Sequence, residues 1–297
     1  MLHFDASPSG GALVYSLNDG KLILLDSNGA NRRVLMQNSP SSVSWSSDGR
    51  TIAYASDGIY FYSLETNTAT LVLTNRDNNQ YAPRDFSPDG SKLMVSMRSG
   101  KLLQMGVYDI ASRTVSIMKP SEPEGYQLCC SPSSWSVDSK YIYVAEWLAG
   151  GGVEGIRAPG LWRYNPDGAG VPLLPVTASS DGSILNKAAA LRQDANGKLT
   201  YLFSPPDAGL DPPPPFSLVR SDADGVSNRV VLRPETFYVT GTSLWTPDGS
   251  ALVLLQNGGT SAQFSDLILI PIYPSRPVVT LLESAAHLAE HPLRWGP

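Results

Sequence analysis

Short runs of apolar and β-branched residues recur along the chain, each cut off by a cluster of Gly, Pro, Asp, Asn or Ser. Runs of this kind between turn signals read as strands. Lys21-Leu22-Ile23-Leu24-Leu25-Asp26 ends at Ser27-Asn28-Gly29, and Arg33-Val34-Leu35-Met36 follows. Equivalent runs are 58–62, 105–109, 160–164 and 216–220, punctuated later by Asn165-Pro166-Asp167-Gly168 and Asp222-Ala223-Asp224-Gly225.

The strands are organised by a repeat: an aromatic residue, Ser or Thr, a small residue or Pro, Asp-Gly, and then a β-rich run. It occurs as Trp45-Ser46-Ser47-Asp48-Gly49, as Phe86-Ser87-Pro88-Asp89-Gly90 and as Trp245-Thr246-Pro247-Asp248-Gly249. Degenerate copies are Ala6-Ser7-Pro8-Ser9-Gly10, Trp135-Ser136-Val137-Asp138-Ser139 and Asp194-Ala195-Asn196-Gly197. The anchors Gly10, Gly49, Gly90, Ser139, Gly197 and Gly249 are separated by 39, 41, 49, 58 and 52 residues. A strand-rich unit of this period is a propeller blade, with four strands per unit. Pro presets a turn, and Asp and Gly accept the tight backbone that joins two strands. Each Asp-Gly turn therefore links an inner strand to the next one out, with the aromatic residue packed between neighbouring blades.

The expected fold is all-β: one domain over residues 1–297, a six-bladed β-propeller of four-stranded antiparallel blades. An extra inner strand at 291–295 overfills a six-bladed ring, so a truncated seven-bladed ring is the alternative. Both ends read as cut within a repeat.

Composition narrows the classes. Apolar residues make up 42% and charged residues 16%, which suits a folded chain. The net charge of −5, without a run of either sign, disfavours nucleic acid as a partner. No apolar stretch is long enough to span a membrane as a helix, and residues 1–10 lack the basic start and apolar middle of a signal peptide. Cys129 and Cys130 are adjacent, with Cα atoms about 3.8 Å apart, too close for ordinary bridging. They read as two unpaired thiols packed as small hydrophobes.

The aromatic-Ser-Pro-Asp-Gly pattern, its Ile/Leu-rich strand and the following Asp-containing turn resemble the TolB-type, WD-like β-propeller repeat family over nearly the whole chain. The resemblance implies six blades, a periplasmic or extracellular setting, and a role as a protein-interaction platform or as the propeller half of a serine peptidase. The repeat decays in the fourth and fifth units, where insertions lengthen the loops.

No complete catalytic constellation is legible. His287-Leu288-Ala289-Glu290-His291 matches the spacing of inverse zinc peptidases, yet Pro292 shortens any helix that would present both imidazoles. No metal and no cofactor is expected. A Gly-x-Ser-x-Gly elbow is absent, and His3, His287 and His291 are the only imidazoles. Asp48, Asp89, Asp138 and Asp248 recur once per unit, as structural turn residues do.

The expected binding face is formed by loops that lead into each inner strand or join the middle strands. It comprises Tyr81, Arg84, Tyr126, Glu146, Trp147, Arg157, Tyr238 and His291, residue types that dominate binding hot spots. The Gly-rich 147–157 reads as a long loop, and 204–215, with four consecutive prolines, as a stiff polyproline segment. A non-catalytic module for a protein or peptide partner is the leading reading. The gating propeller of a hydrolase and a small-molecule or glycan binder are the alternatives.

Overall fold

The Ser-x-Asp-Gly tetrapeptides close hairpins, and the hairpins build sheets. The computed structural model describes residues 3–9, 12–16, 21–26, 31–37, 42–76, 78–100, 102–120, 126–128, 133–150, 153–173, 187–204, 215–246, 248–257 and 265–282. Among these residues there is no helix, and all strand pairing is antiparallel.

The first sheet has the order β1 (His3–Ala6), β2 (Ala12–Ser16), β3 (Leu22–Asp26), β4 (Arg33–Met36). The second runs β5 (Val43–Trp45), β6 (Thr51–Ala55), β7 (Gly58–Ser63), β8 (Thr68–Thr74), and the third β9 (Asn79–Phe86), β10 (Lys92–Ser99), β11 (Leu102–Asp109), β12 (Thr114–Ile117). The fourth contains β13 (Tyr126–Leu128), β14 (Ser133–Trp135), β15 (Ile142–Gly150), β16 (Val153–Tyr164) and β17 (Gly170–Pro172). The fifth is β18 (Lys187–Gln193), β19 (Leu199–Ser204), β20 (Phe216–Ser221), β21 (Val230–Phe237), and the sixth β22 (Val239–Trp245), β23 (Ala251–Asn257), β24 (Ser265–Pro271), β25 (Val279–Leu282).

Five sheets are thus four-stranded meanders of the blade type. The fourth departs from the expected four strands, because β13 and β14 both pair with β15. The strands fall into two compact units, β1–β12 and β13–β25, each of three sheets.

Within each unit, neighbouring sheets pack face to face. In the first unit, Val14 and Leu22 meet Val43, Trp45, Ile52 and Tyr54 in one seam. Ala53 and Ile59 meet Phe86, Leu93, Val95 and Tyr108 in the next. In the second unit the seams are Tyr143, Ala145 and Leu161 against Ala188, Leu191 and Leu199, and Leu202 and Leu218 against Leu252, Leu254 and Ile268. Successive residues of a middle strand face opposite seams, as Ile52 and Ala53 do, so strands buried on both faces read as unbroken apolar runs. The expected packing of the repeat aromatic holds at Trp45, Phe86 and Trp245. Trp45 Nε1 donates to the Asp5 carbonyl at 3.2 Å, and Trp245 Nε1 to the Ala190 carbonyl at 2.8 Å, each on the neighbouring sheet.

The repeat turn is a hydrogen-bonded unit. The Ser87 hydroxyl donates to Asp89 Oδ1 at 2.6 Å and accepts from the Lys92 amide at 2.9 Å, while Asp89 Oδ1 accepts from the Ser91 amide at 3.0 Å. The same bonds recur around Ser46 and Asp48, Ser136 and Asp138, and Thr246 and Asp248. Gly49, Gly90 and Gly249 take positive φ of 71°, 70° and 69°, and Ser139 is held at 61° in the corresponding place. These aspartates are structural.

Burial alone would push the Asp89 carboxyl up, but the Ser87 hydroxyl, the Ser91 amide and hydroxyl and the Lys92 charge hold it at about 2. The Ser46 hydroxyl and Arg50 amide lower Asp48, and the Ser250 amide and Thr246 hydroxyl lower Asp248. Carboxyls depressed in the folded state contribute stability above their unfolded pKa and lose it as pH falls through the folded value. Thermal stability should therefore fall between about pH 4 and pH 2. In Asp89→Asn the fall should be shallower and the midpoint at pH 5 lower than in the parent, as read by circular dichroism melts. Superimposable pH profiles would contradict this role.

Candidate binding surface

In each sheet the repeat turn joins the first and second strands at one end, and the second strand runs from there to the other end. Most of the expected face falls at this second end of its own sheet. Tyr81 stands on β9 opposite Met97, two residues from the Asn79–Ser99 pair beside the β10–β11 turn. Its amide donates to Asn75 Oδ1 at 3.0 Å, and its half-buried ring packs on the Ala53–Phe86 seam. Tyr81 therefore also serves as a packing residue.

Arg84 sits at a β-bulge. Pro83 pairs with Val95 and Asp85 with Met94, leaving Arg84 as the extra residue of β9. A bulge bends the strand and re-aims a side chain. Related irregularities occur in β18, between the Ala189–Leu202 and Arg192–Thr200 pairs, and in β22, between Val239–Gln256 and Ser243–Leu254. At the β18 bulge Ala190 has a φ of 50°, and its carbonyl receives the Trp245 indole. First-strand bulges escaped sequence reading, because an extra residue leaves no signature unless the partner strand is known.

Tyr126, Glu146, Trp147 and Arg157 are brought into one sheet. Tyr126 pairs with Gly150, Glu146 with Gly160 and Arg157 with Leu148, while Trp147 lies in the register shift between Glu146 and Leu148. Within the expected loop at 147–157, residues 147–150 belong to β15 and residues 153–157 to β16. The reason is pairing: β13 adds to β15 at Leu148–Gly150, so both edges of β15 are hydrogen-bonded there. The Gly-rich composition disguised an extension of the two strands. Tyr238 is the single residue between β21 and β22 and is exposed, next to buried Phe237. His291, the zinc-like 287–291 spacing, Cys129, Cys130 and the polyproline segment 205–214 lie outside the described residues.

Backbone pairing thus places aromatic and cationic residue types toward one end of their sheets. Among the described residues no cluster of three His, Cys, Asp or Glu could hold a metal ion. No described helix is long and apolar enough to cross a membrane.

No protein-family model matches the chain. The Tol-Pal system protein TolB of Francisella tularensis subsp. mediasiatica is 31% identical over 96 residues, which are 30% of this chain and 22% of TolB. The match thus spans about a fifth of that relative's length. Among solved structures, a putative TolB from Agrobacterium tumefaciens superposes with a TM-score of 0.52 at 18% identity, over 78% of this chain and 80% of that one. An oligogalacturonate lyase from Vibrio parahaemolyticus gives 0.62 at 12% identity, over 94% and 76%. Prolyl oligopeptidase B from Galerina marginata gives 0.58 at 10% identity, over 95% of this chain but 41% of that one. At these identities the structural matches speak for the fold alone. With its repeat turns and its four-stranded antiparallel sheets, the chain is similar in fold to the TolB-type β-propellers, and over 96 residues it is also similar to TolB in sequence.

Proposed function

We propose that this chain is a non-catalytic interaction module: one propeller domain over residues 1–297, with one blade per sheet and six in all, binding a protein or peptide partner. In each sheet the surface assigned to binding is the end away from the repeat turn. The observation that carries this reading is the gathering of Glu146, Trp147 and Arg157 on the lengthened β15–β16 hairpin and of Tyr126 on β13, the strand added to it, with Tyr81 and Tyr238 at the matching ends of their own sheets. Likeness to a Tol-Pal system protein supports a protein partner.

The test is a displayed peptide library panned on the full chain, followed by affinity measurement for a selected peptide. Tyr126→Ala combined with Arg157→Ala should weaken that peptide at least about tenfold, about 1.4 kcal/mol, with the melting midpoint unchanged. Selected peptides that bind the double variant equally well would defeat the assignment of this face.

A second reading, the gating propeller of a serine peptidase, draws on the superposition of nearly the whole chain onto less than half of prolyl oligopeptidase B. A downstream Gly-x-Ser-x-Gly domain in the full open reading frame would favour it. A third, a small-molecule or glycan binder, would show as ligand-dependent thermal stabilisation.

A further inference from the structure

Arg163 is a half-buried arginine whose Nε has no hydrogen-bond acceptor among the described residues. It stands on β16 opposite Tyr143 on β15 and Val171 on β17, so these three residues share one face of the fourth sheet. That face is turned toward β18: Tyr143 packs with Ala188 and Leu191, and its hydroxyl accepts from Gln193 Nε2 at 3.1 Å. The Arg163 Cζ lies 4.4 Å from the centroid of the Tyr141 ring, a cation–π contact.

The Arg163 Nε is buried and has no hydrogen-bond partner among the described residues. Asp138 and Asp194, on this sheet and the facing one, are already engaged by Lys140 at 3.2 Å and Arg220 at 2.5 Å. Guanidinium does not shed its proton, so burial cannot relieve the group by neutralising it. A buried donor without a protein acceptor is satisfied by ordered water or by a bound partner. Val171, 46% exposed on the adjoining edge strand, leaves the site next to solvent.

We propose that Arg163, laid on Tyr141 and facing β18, is a binding site for a small oxyanion, a carboxylate or a phosphate. Planar donors set in a fixed fork match two oxygens of either group. The chain's net charge of −5 gives it no general attraction for anions, so an anion response would be local. The site lies toward the Asp-Gly end of its sheet, away from the proposed partner face, and stands or falls apart from it.

The experiment uses the full chain at constant ionic strength. Inorganic phosphate, an acetylated tripeptide with a free C-terminal carboxylate, the same tripeptide as its amide, and chloride are titrated in turn. The readouts are the melting midpoint and the arginine Nε–H resonances, with that of Arg163 assigned by its loss in Arg163→Gln. Phosphate or the peptide acid, but neither the amide nor chloride, should raise the midpoint saturably and shift the Arg163 resonance. Whichever of the two acts identifies the source of the oxyanion. Arg163→Gln should abolish the rise, and Arg163→Lys, which keeps the charge but loses the fork, should weaken binding at least tenfold. An equal rise in Arg163→Gln, or a resonance that no anion moves, overturns the proposal. Should Arg163→Gln fail to fold, Arg163→Lys supplies the assignment and the titration of the unaltered protein still decides.

Discussion

Replacing Arg233 with Leu should destabilise the second unit by about 3–5 kcal/mol, a cost of the size seen when one member of a buried charged network is removed. Arg233 projects from β21 and its side chain is 0% exposed, although β21 is the outer strand of its sheet. Its Nη1 donates to the carbonyls of Pro271, Tyr273 and Arg276 at 2.8, 2.9 and 2.9 Å, fastening the β24–β25 connection of the neighbouring sheet. Its Nη2 and Nε reach the two carboxylate oxygens of Glu235 at 2.8 and 3.2 Å. Leucine fills much of the volume but leaves the buried Pro271 carbonyl without its donor, and hydrogen bonds to charged groups are the stronger class.

The melting midpoint should drop by on the order of 10 °C. Arg233→Lys should recover little of it, because one ammonium cannot reproduce a planar fork shared among three carbonyls and a carboxylate. Calorimetric midpoints within a degree or so of the parent would show that the clamp contributes little.

Trp45→Ala should cost about 3–5 kcal/mol in the first unit. Trp45 is 5% exposed and fills the seam between the first two sheets, against Val14, Leu22 and Val43. Its backbone amide donates to Asp5 Oδ2 at 2.6 Å, and its indole to the Asp5 carbonyl. Truncation removes apolar area and leaves a cavity between two sheets that cannot collapse without moving β1. Trp45→Phe keeps most of the packing and loses the indole bond, so it should cost nearer 1 kcal/mol. Urea titrations of both variants, with amide exchange followed on β1 and β5, would measure the difference. Equal losses in the two variants would mean that the indole bond, not the packing, holds the seam.

The two positions differ sharply in legibility. Trp45 precedes Ser-x-Asp-Gly and was assigned to a blade seam from its place in the repeat. Arg233 sits in Val230-Val231-Leu232-Arg233-Pro234-Glu235, where alternation would leave a charged residue facing solvent. Val230 and Val231 are in fact exposed and Arg233 is buried. The inversion follows from the register shift between the Ser217–Thr236 and Val219–Val231 pairs, which rotates the strand so that the guanidinium meets the neighbouring sheet's carbonyls. The far ends of β15 and β16 escape local reading for a related reason: the pairing there depends on β13, a segment distant in sequence. The orphaned Arg163 was equally invisible, since nothing local distinguishes it from an ion-paired surface arginine.

Read alone, the sequence determined where the hairpins turn, which strands are adjacent, and that the fold is all-β. Those features rest on bonds between residues a few positions apart, such as a Ser hydroxyl to the Asp two places on. Only the tertiary structure decided which first strands bulge, which arginines are buried, and that a Gly-rich segment is paired. Each of these depends on donors and acceptors brought from a neighbouring strand or sheet, and a one-dimensional pattern carries no record of that distance.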